Sequence, residues 1–308
     1  MKSDSRKVIF AALGANALIA VCKFAAAYIT GSSAMLSEGV HSVVDTGNQG
    51  LLLHGMKRSE RPPDDAHPFG YGAEVFFWAF VVAILIFAIG AGISFYEGIN
   101  KLLHPHPITS PHINYIVLGA AFIFEAIAWT IAYKEFRKVQ GPQDFLTAVR
   151  ESKDPATFTV LFEDTAAMLG LVAAAIGVFS AHVLEIQWAD GAASIVIGVI
   201  LAVTAIFLAV ETKGLLIGEA ASPAVVQGVR ETVGDVPDII NINELRTMHL
   251  APHEILVALS VDFADGVSSE RVELAVSTLE QTIKGRHPQV RRIFIEAQGK
   301  HDGMARRR

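Results

Sequence analysis

The stretch Ser37-Glu38-Gly39-Val40-His41-Ser42-Val43-Val44-Asp45-Thr46-Gly47-Asn48 decides how the chain is read. It lies inside a long apolar segment, where ionisable side chains are costly and become functional candidates by default. In a helix, His41 and Asp45 stand one turn apart on one face, with Glu38 and Asn48 near the same stripe. An imidazole and a carboxylate so placed offer nitrogen and oxygen ligands to a divalent metal such as zinc.

The surrounding sequence puts that helix in a membrane. The chain has 308 residues, 52% hydrophobic and only 18% charged, whereas a soluble domain is about a quarter charged. The apolar residues fall in blocks of about 20, the length that spans a bilayer as helix. A net charge of −6 gives no global support for nucleic-acid binding. The single Cys22 excludes an internal disulfide and a Cys-rich metal site. No nucleotide-binding loop, nucleophile elbow or His-Glu-x-x-His motif speaks for an enzyme.

Six spanning segments are expected, at Val8–Thr30, Ala34–Met56, Val75–Leu103, Ile113–Tyr133, Ala156–Val178 and Gly191–Val210. Gly31-Ser32-Ser33 makes the first turn tight, and His104-Pro105-His106-Pro107 is a rigid connector. Basic residues cluster before the first segment (Lys2, Arg6, Lys7), after the second (Lys57, Arg58, Arg61) and between the fourth and fifth (Lys134, Arg137, Lys138, Arg150, Lys153). By the positive-inside rule both termini are then cytoplasmic.

From Gly214 the pattern changes. Pro223–Val233 reads as a helix, Ile239–Met248 and Glu254–Phe263 as strands, Ser268–Lys284 as a helix and Val290–Ala297 as a strand. Val272, Leu274, Val276, Leu279 and Ile283 are the expected apolar positions of the second helix. This αββαβ order predicts a small α+β domain with helices covering one face of the sheet. The expected layout is a transmembrane domain over 1–213, a cytoplasmic domain over 214–300 and a disordered basic tail over 301–308.

The fifth segment supplies Glu163 and Asp164. As neighbours they point about 100° apart, so one site is expected to take one of them, and Asp164 is the choice. It shares its stripe with Thr157 and the small Ala167, which leave room for a facing helix. A tetrahedral zinc site with His41, Asp45 and Asp164 wants a fourth ligand, and Glu163, Asn48, Glu125 or water are the alternatives.

Here the sequence resembles a known family. Ser33-Ala34-Met35-Leu36-Ser37-Glu38-Gly39-Val40-His41-Ser42-Val43-Val44-Asp45 is similar to the second helix of the cation diffusion facilitator family of metal/proton antiporters. Asp64-Asp65-Ala66-His67-Pro68-Phe69-Gly70-Tyr71-Gly72 and Asp190-Gly191-Ala192-Ala193-Ser194 resemble that family too. The stretches Asp45–Leu51 and Leu161–Ala167 resemble its mitochondrial zinc branch. The resemblance implies six helices, a cytoplasmic ferredoxin-like domain, homodimerisation through that domain, and a transport site between helices two and five.

His41 and Asp45 match the family's pair on helix two, and Asp164 matches the second position on helix five. Val160 stands where zinc transporters carry His or Asp, which makes Glu163 the leading substitute. The ligand set suits Zn²⁺ and also Co²⁺, Fe²⁺ or Mn²⁺. Asp64 and His67 match two ligands of a loop site found in some relatives, or else they cap the loop; Tyr71 replaces a His there. In the cytoplasmic domain Asn243, Leu259, Glu296 and Gln298 stand near the family's ligand positions, with His249, His253 and Glu296 as an alternative cluster. His104, His106, His112 and His182 are outer-side histidines.

The expected function is export of a divalent cation in exchange for protons, in a bacterial inner membrane because no transit sequence is visible. The alternative is a membrane metal sensor or scaffold that binds metal without moving it. A conducting channel is disfavoured because tight ligands retard passage.

Overall fold

The computed structural model describes residues 3–140 and 152–299. Arg150 and the tail from His301 lie outside the described residues. Among the described residues six long helices come first: α1 (Ser3–Thr30), α2 (Ser33–Ser59), α3 (Glu74–Leu103), α4 (Pro111–Gln140), α5 (Pro155–Val183) and α6 (Ala189–Leu216). Each overlaps one of the six apolar segments.

Their ends extend past the expected ones. α4 continues beyond Tyr133 to Gln140, and α1 begins before Val8. The flanking residues are polar but contain nothing that breaks a helix, so the change of polarity marks where apolar surroundings end rather than where the helix ends. Four of the helices, α3 to α6, are long and apolar enough to cross a membrane. In α1 the apolar described part is the shorter Asn16–Thr30, and α2 is interrupted by Glu38, His41, Asp45 and Asn48. Ile116, Ile123, Ile127 and Ile131 form an exposed stripe on α4, and Val199, Val203, Ile206 and Val210 form another on α6. Such unpartnered apolar stripes are what lipid covers, and the chain is an integral membrane protein.

Small residues set the helix contacts. A Cβ added at Gly55 of α2 would press on Trp78 of α3, and one at Gly98 of α3 would meet Ile195 and the Gly191 carbonyl of α6. Close backbone approach of this kind is how helices associate where lipid competes for apolar surface. The α1–α2 turn is as tight as Gly31-Ser32-Ser33 predicts, with Gly31 at φ +66°. Inside α3, residues Ile86–Ala91 form a π-helical segment, and Ser94 closes it by donating to the Gly90 carbonyl at 2.8 Å.

Two compact units emerge, Met1–Lys57 with Glu74–Lys213, and Arg58–Ala73 with Gly214–Arg308. In the second, α7 (Pro223–Gly234), β1 (Ile239–Ala251), β2 (Glu254–Phe263), α8 (Ser269–Arg286) and β3 (Val290–Ala297) follow the expected order. The sheet runs β1-β2-β3, with β1 antiparallel and β3 parallel to the central β2. Alternation along β2 puts Ile255, Val257, Leu259 and Val261 into a core with Val225, Val229 and Val233 of α7 and Leu279 and Ile283 of α8. Leu274 departs from expectation and is 67% exposed. It stands two residues from Val272, which places it some 200° around the helix from the buried stripe.

The segment between α2 and α3 belongs to this second unit. Phe69 meets Phe294 of β3 edge-on, with centroids 6.4 Å apart. Gly72 lies so close to the Leu250 carbonyl and Ala251 that a Cβ there would overlap both.

Candidate metal centre

His41 and Asp45 project from one face of α2, with His41 Nδ1 3.3 Å from Asp45 Oδ1. His41 is fully buried, yet neither ring nitrogen has a hydrogen-bond partner, and Asp45 Oδ1 has none either. Buried polar atoms are nearly always hydrogen-bonded, so a His41–Asp45 contact without hydrogen-bond geometry and a bare His41 Nε2 need an explanation.

Facing them, α5 presents Glu163 and Asp164, both buried. The expectation that only one of the two would face the site does not match the arrangement. Asp45, Glu125 of α4, Glu163 and Asp164 all line one small cavity, together with Asn16, Ser42 and Gln49. The neighbours diverge, but the cavity lies between several helices and so receives both. Glu163 leans to α2, where its Oε1 accepts from Asn48 Nδ2 at 2.7 Å, while Asp164 lines the cavity with Glu125 of α4. Trp129 Nε1 donates to Thr165 Oγ1 at 2.9 Å and ties α4 to α5 beside them.

The cavity wall thus carries four carboxylates, and His41, in contact with Asp45, is not among its lining residues. Among the described residues no set of three or more His, Cys, Asp or Glu side chains is arranged to hold a metal ion as it stands. Val160 offers no ligand atom, and Glu163, Glu125 and Asn48 are all at hand around the cavity or beside it. Sequence reasoning left Glu125 as one alternative among several and overlooked Lys23, whose ammonium donates to Glu38 Oε2 and Ser42 Oγ. An intramembrane lysine was the available signal.

The other candidates separate from this cavity. Asp64 Oδ1 accepts from the backbone of Ala66 and His67, and its Oδ2 accepts from the Tyr71 hydroxyl at 2.7 Å. The Tyr71 hydrogen bond holds the Asp64 carboxyl below the ordinary aspartate range, and the same bond pushes the Tyr71 hydroxyl up. His67 stacks on Tyr71 with centroids 4.2 Å apart. These contacts describe an ordered Asx turn, the loop-capping alternative left open by the sequence. His249 is buried in β1, with Nδ1 3.4 Å from the Ala251 carbonyl. Glu296 lines a separate groove with Glu244 and Arg246 on the sheet. His106 contacts Lys101 Nζ at 2.7 Å, and His104 and His112 are exposed.

The profile of the cation efflux transmembrane domain matches residues 9–217. The chain belongs to the cation efflux family. It is a family of transporters rather than enzymes. The mitochondrial proton-coupled zinc antiporter of Homo sapiens is 32% identical over 280 residues, covering 90% of this chain and 49% of that protein. Metal tolerance protein C4 of Arabidopsis thaliana is 28% identical over 261 residues, 84% of this chain and 57% of that protein. The magnetosome protein MamM of Paramagnetospirillum magneticum is 22% identical over 301 residues, 97% and 90% respectively. The chain therefore spans about half the length of the mitochondrial antiporter and nearly the whole of MamM.

Proposed function

We propose that this cation efflux protein exports a divalent cation, Zn²⁺ foremost, in exchange for protons. The observation that carries the reading is one polar cavity lined by Asp45, Glu125, Glu163 and Asp164, with His41, whose buried ring nitrogens have no hydrogen-bond partner, one helical turn from Asp45. Nitrogen and oxygen donors of this kind suit zinc, with Co²⁺, Fe²⁺ and Mn²⁺ as further cargo. The similarity to a mitochondrial zinc antiporter supports the same choice. In this reading His41, Asp45 and Asp164 ligate the ion and Glu163 replaces the missing donor at Val160.

Coupling follows from the ligands. An imidazole binds metal only when neutral and a carboxylate only when ionised, so metal and protons compete for the same atoms. Rocking of the helices about the cavity would alternate access. All six long helices span the membrane, with both termini on the cytoplasmic side as the basic residues require. The bacterial inner membrane is the proton-coupled membrane we expect. The unit from 214 to 300 is read as a ferredoxin-like cytoplasmic domain through which two copies pair, with 1–213 as the transport domain. Asp64 and His67 enter as a loop-ordering pair, with metal binding there a secondary role.

A metal sensor that binds without transporting is the second reading, favoured by Val160 and by the lack of a ready-made three-ligand set. One experiment separates the two. In proteoliposomes with an imposed zinc gradient, the wild type should acidify or alkalinise the lumen, and Asp45→Ala and Asp164→Ala should not. Binding without flux in the wild type selects the sensor, and wild-type-like antiport in either variant rules out this site.

A further inference from the structure

Lys23 belongs to the apolar part of α1 and is wholly buried, as is its partner Glu38. Its Nζ donates to Glu38 Oε2 at 2.9 Å and to Ser42 Oγ at 2.8 Å. Ser42 lines the acidic cavity, so the ammonium stands one hydroxyl away from the cavity wall. The pair is not electrically silent there. It is the ammonium, through its bond to Ser42, that touches a side chain of the cavity wall, whereas Glu38 is not among the lining residues. The cationic end of the pair is therefore the one turned to the cavity. Glu38 Oε1 has no hydrogen-bond partner, and it lies against Gly170 of α5, where a Cβ would overlap it.

A buried ion pair is a poor stabilising device, because desolvation of the two charges offsets most of their attraction. A fixed cation beside four carboxylates has a clearer use. Without it, four carboxylates around a divalent ion would hold that ion more firmly. We propose that Lys23 is the resident counter-cation of this cavity, neutralising part of its charge between transport cycles and loosening its grip on the bound ion. Glu38 sets how much of that charge the cavity feels, by engaging the ammonium from the other side. The inference rests on the transport site proposed above.

The two partners then have opposite effects on metal affinity, which a simple tie between α1 and α2 does not produce. The test is zinc affinity of the full chain in detergent at fixed pH and salt, read by competition with a chromogenic chelator. Lys23→Met should bind zinc on the order of tenfold more tightly, because a like charge near the ion is gone. Glu38→Gln should bind it several-fold more weakly, because the ammonium loses its nearest carboxylate. The double variant Lys23→Met/Glu38→Gln buries no orphan charge and so remains usable where a single variant does not fold; it should also bind more tightly than the wild type. Lys23→Arg should stay near wild type. Unchanged affinity in Lys23→Met and the double variant, with only thermal stability reduced, makes the pair structural and overturns the proposal, as does weaker binding by either. Asp45→Ala serves as the control: if zinc binding does not depend on Asp45, the site reading itself fails and takes this inference with it.

Discussion

Asn48 of α2 holds Glu163 of α5 through a 2.7 Å hydrogen bond between Nδ2 and Oε1. Asn48 is seven residues beyond His41, two turns along the same helix, so one face of α2 both supplies donors and orients a carboxylate across the gap. The amide oxygen Asn48 Oδ1 is itself unpartnered and buried. The link places the leading candidate for the fourth ligand under the control of the helix that carries the first two.

Asn48→Ala should therefore weaken the site without removing a ligand. Loss of a partner that orients a ligating side chain typically lowers metal affinity by about 10- to 100-fold. We expect zinc affinity to fall in that range while the protein still folds, since the change vacates little volume. Asn48→Gln should recover part of the loss. Chelator competition on the purified chain is the readout, and an affinity equal to wild type in Asn48→Ala would remove Glu163 from the ligand set.

The loop between α2 and α3 makes a separate prediction about pH. Asp64 is held below the ordinary aspartate range chiefly by the Tyr71 hydroxyl. A carboxyl depressed in the folded state contributes order that is complete above its unfolded value and disappears as pH falls through the depressed one. Loop order should thus persist below about pH 4, the usual aspartate value, and be lost at more acidic pH. Tyr71→Phe should move that loss upward, toward the ordinary value. Hydrogen exchange of residues 58–73 across an acid titration measures it, and coincident midpoints would show that the hydroxyl does not set the transition.

What the sequence made legible follows from which signals are local. The π-helical turn apart, the six long helices needed only apolar blocks of spanning length, and the strands only periodicity, as in the alternating burial of Ile255, Val257, Leu259 and Val261. His41 and Asp45 were legible because their spacing is fixed by one helix. The convergence of Glu125, Glu163 and Asp164 was not, because the rotation of α4 and α5 about their axes is a tertiary quantity that the i, i+4 rule does not contain. The same holds for Lys23. Its charge was visible, but its position beside Ser42 depends on how α1 packs on α2. Leu274 shows the converse, since apolar character alone points to the buried face while the helical angle excludes it.

The clearest tertiary feature hidden from the sequence is the start of α2. Ser32 caps it locally by accepting from the Met35 backbone at 3.2 Å, but that cap is itself held from another helix. Asp190 of α6 accepts from Ser32 Oγ at 2.5 Å, from the Ser33 backbone at 2.7 Å and from the Ala34 backbone at 3.4 Å. Lys101 of α3 sits 3.8 Å from the same carboxylate, and both charges are almost completely buried. A carboxylate at a helix N-terminus satisfies orphan amide donors and interacts favourably with the helix dipole. Here it also fixes α2, and with it His41 and Asp45, against two other helices. Asp190→Ala should leave the Ser32 hydroxyl and two buried amides without their acceptor, and Lys101, still bonded to the Gly31 carbonyl, without its counter-charge, a loss of about 3–5 kcal/mol. Asp190→Asn keeps an acceptor oxygen but not the charge, and should lose about half as much. The order wild type, Asn, Ala in thermal denaturation of the detergent-solubilised chain is the expected result. Because α2 carries two of the proposed ligands, zinc affinity should fall in the same order, and an Ala variant that melts like wild type would show that α2 is anchored elsewhere.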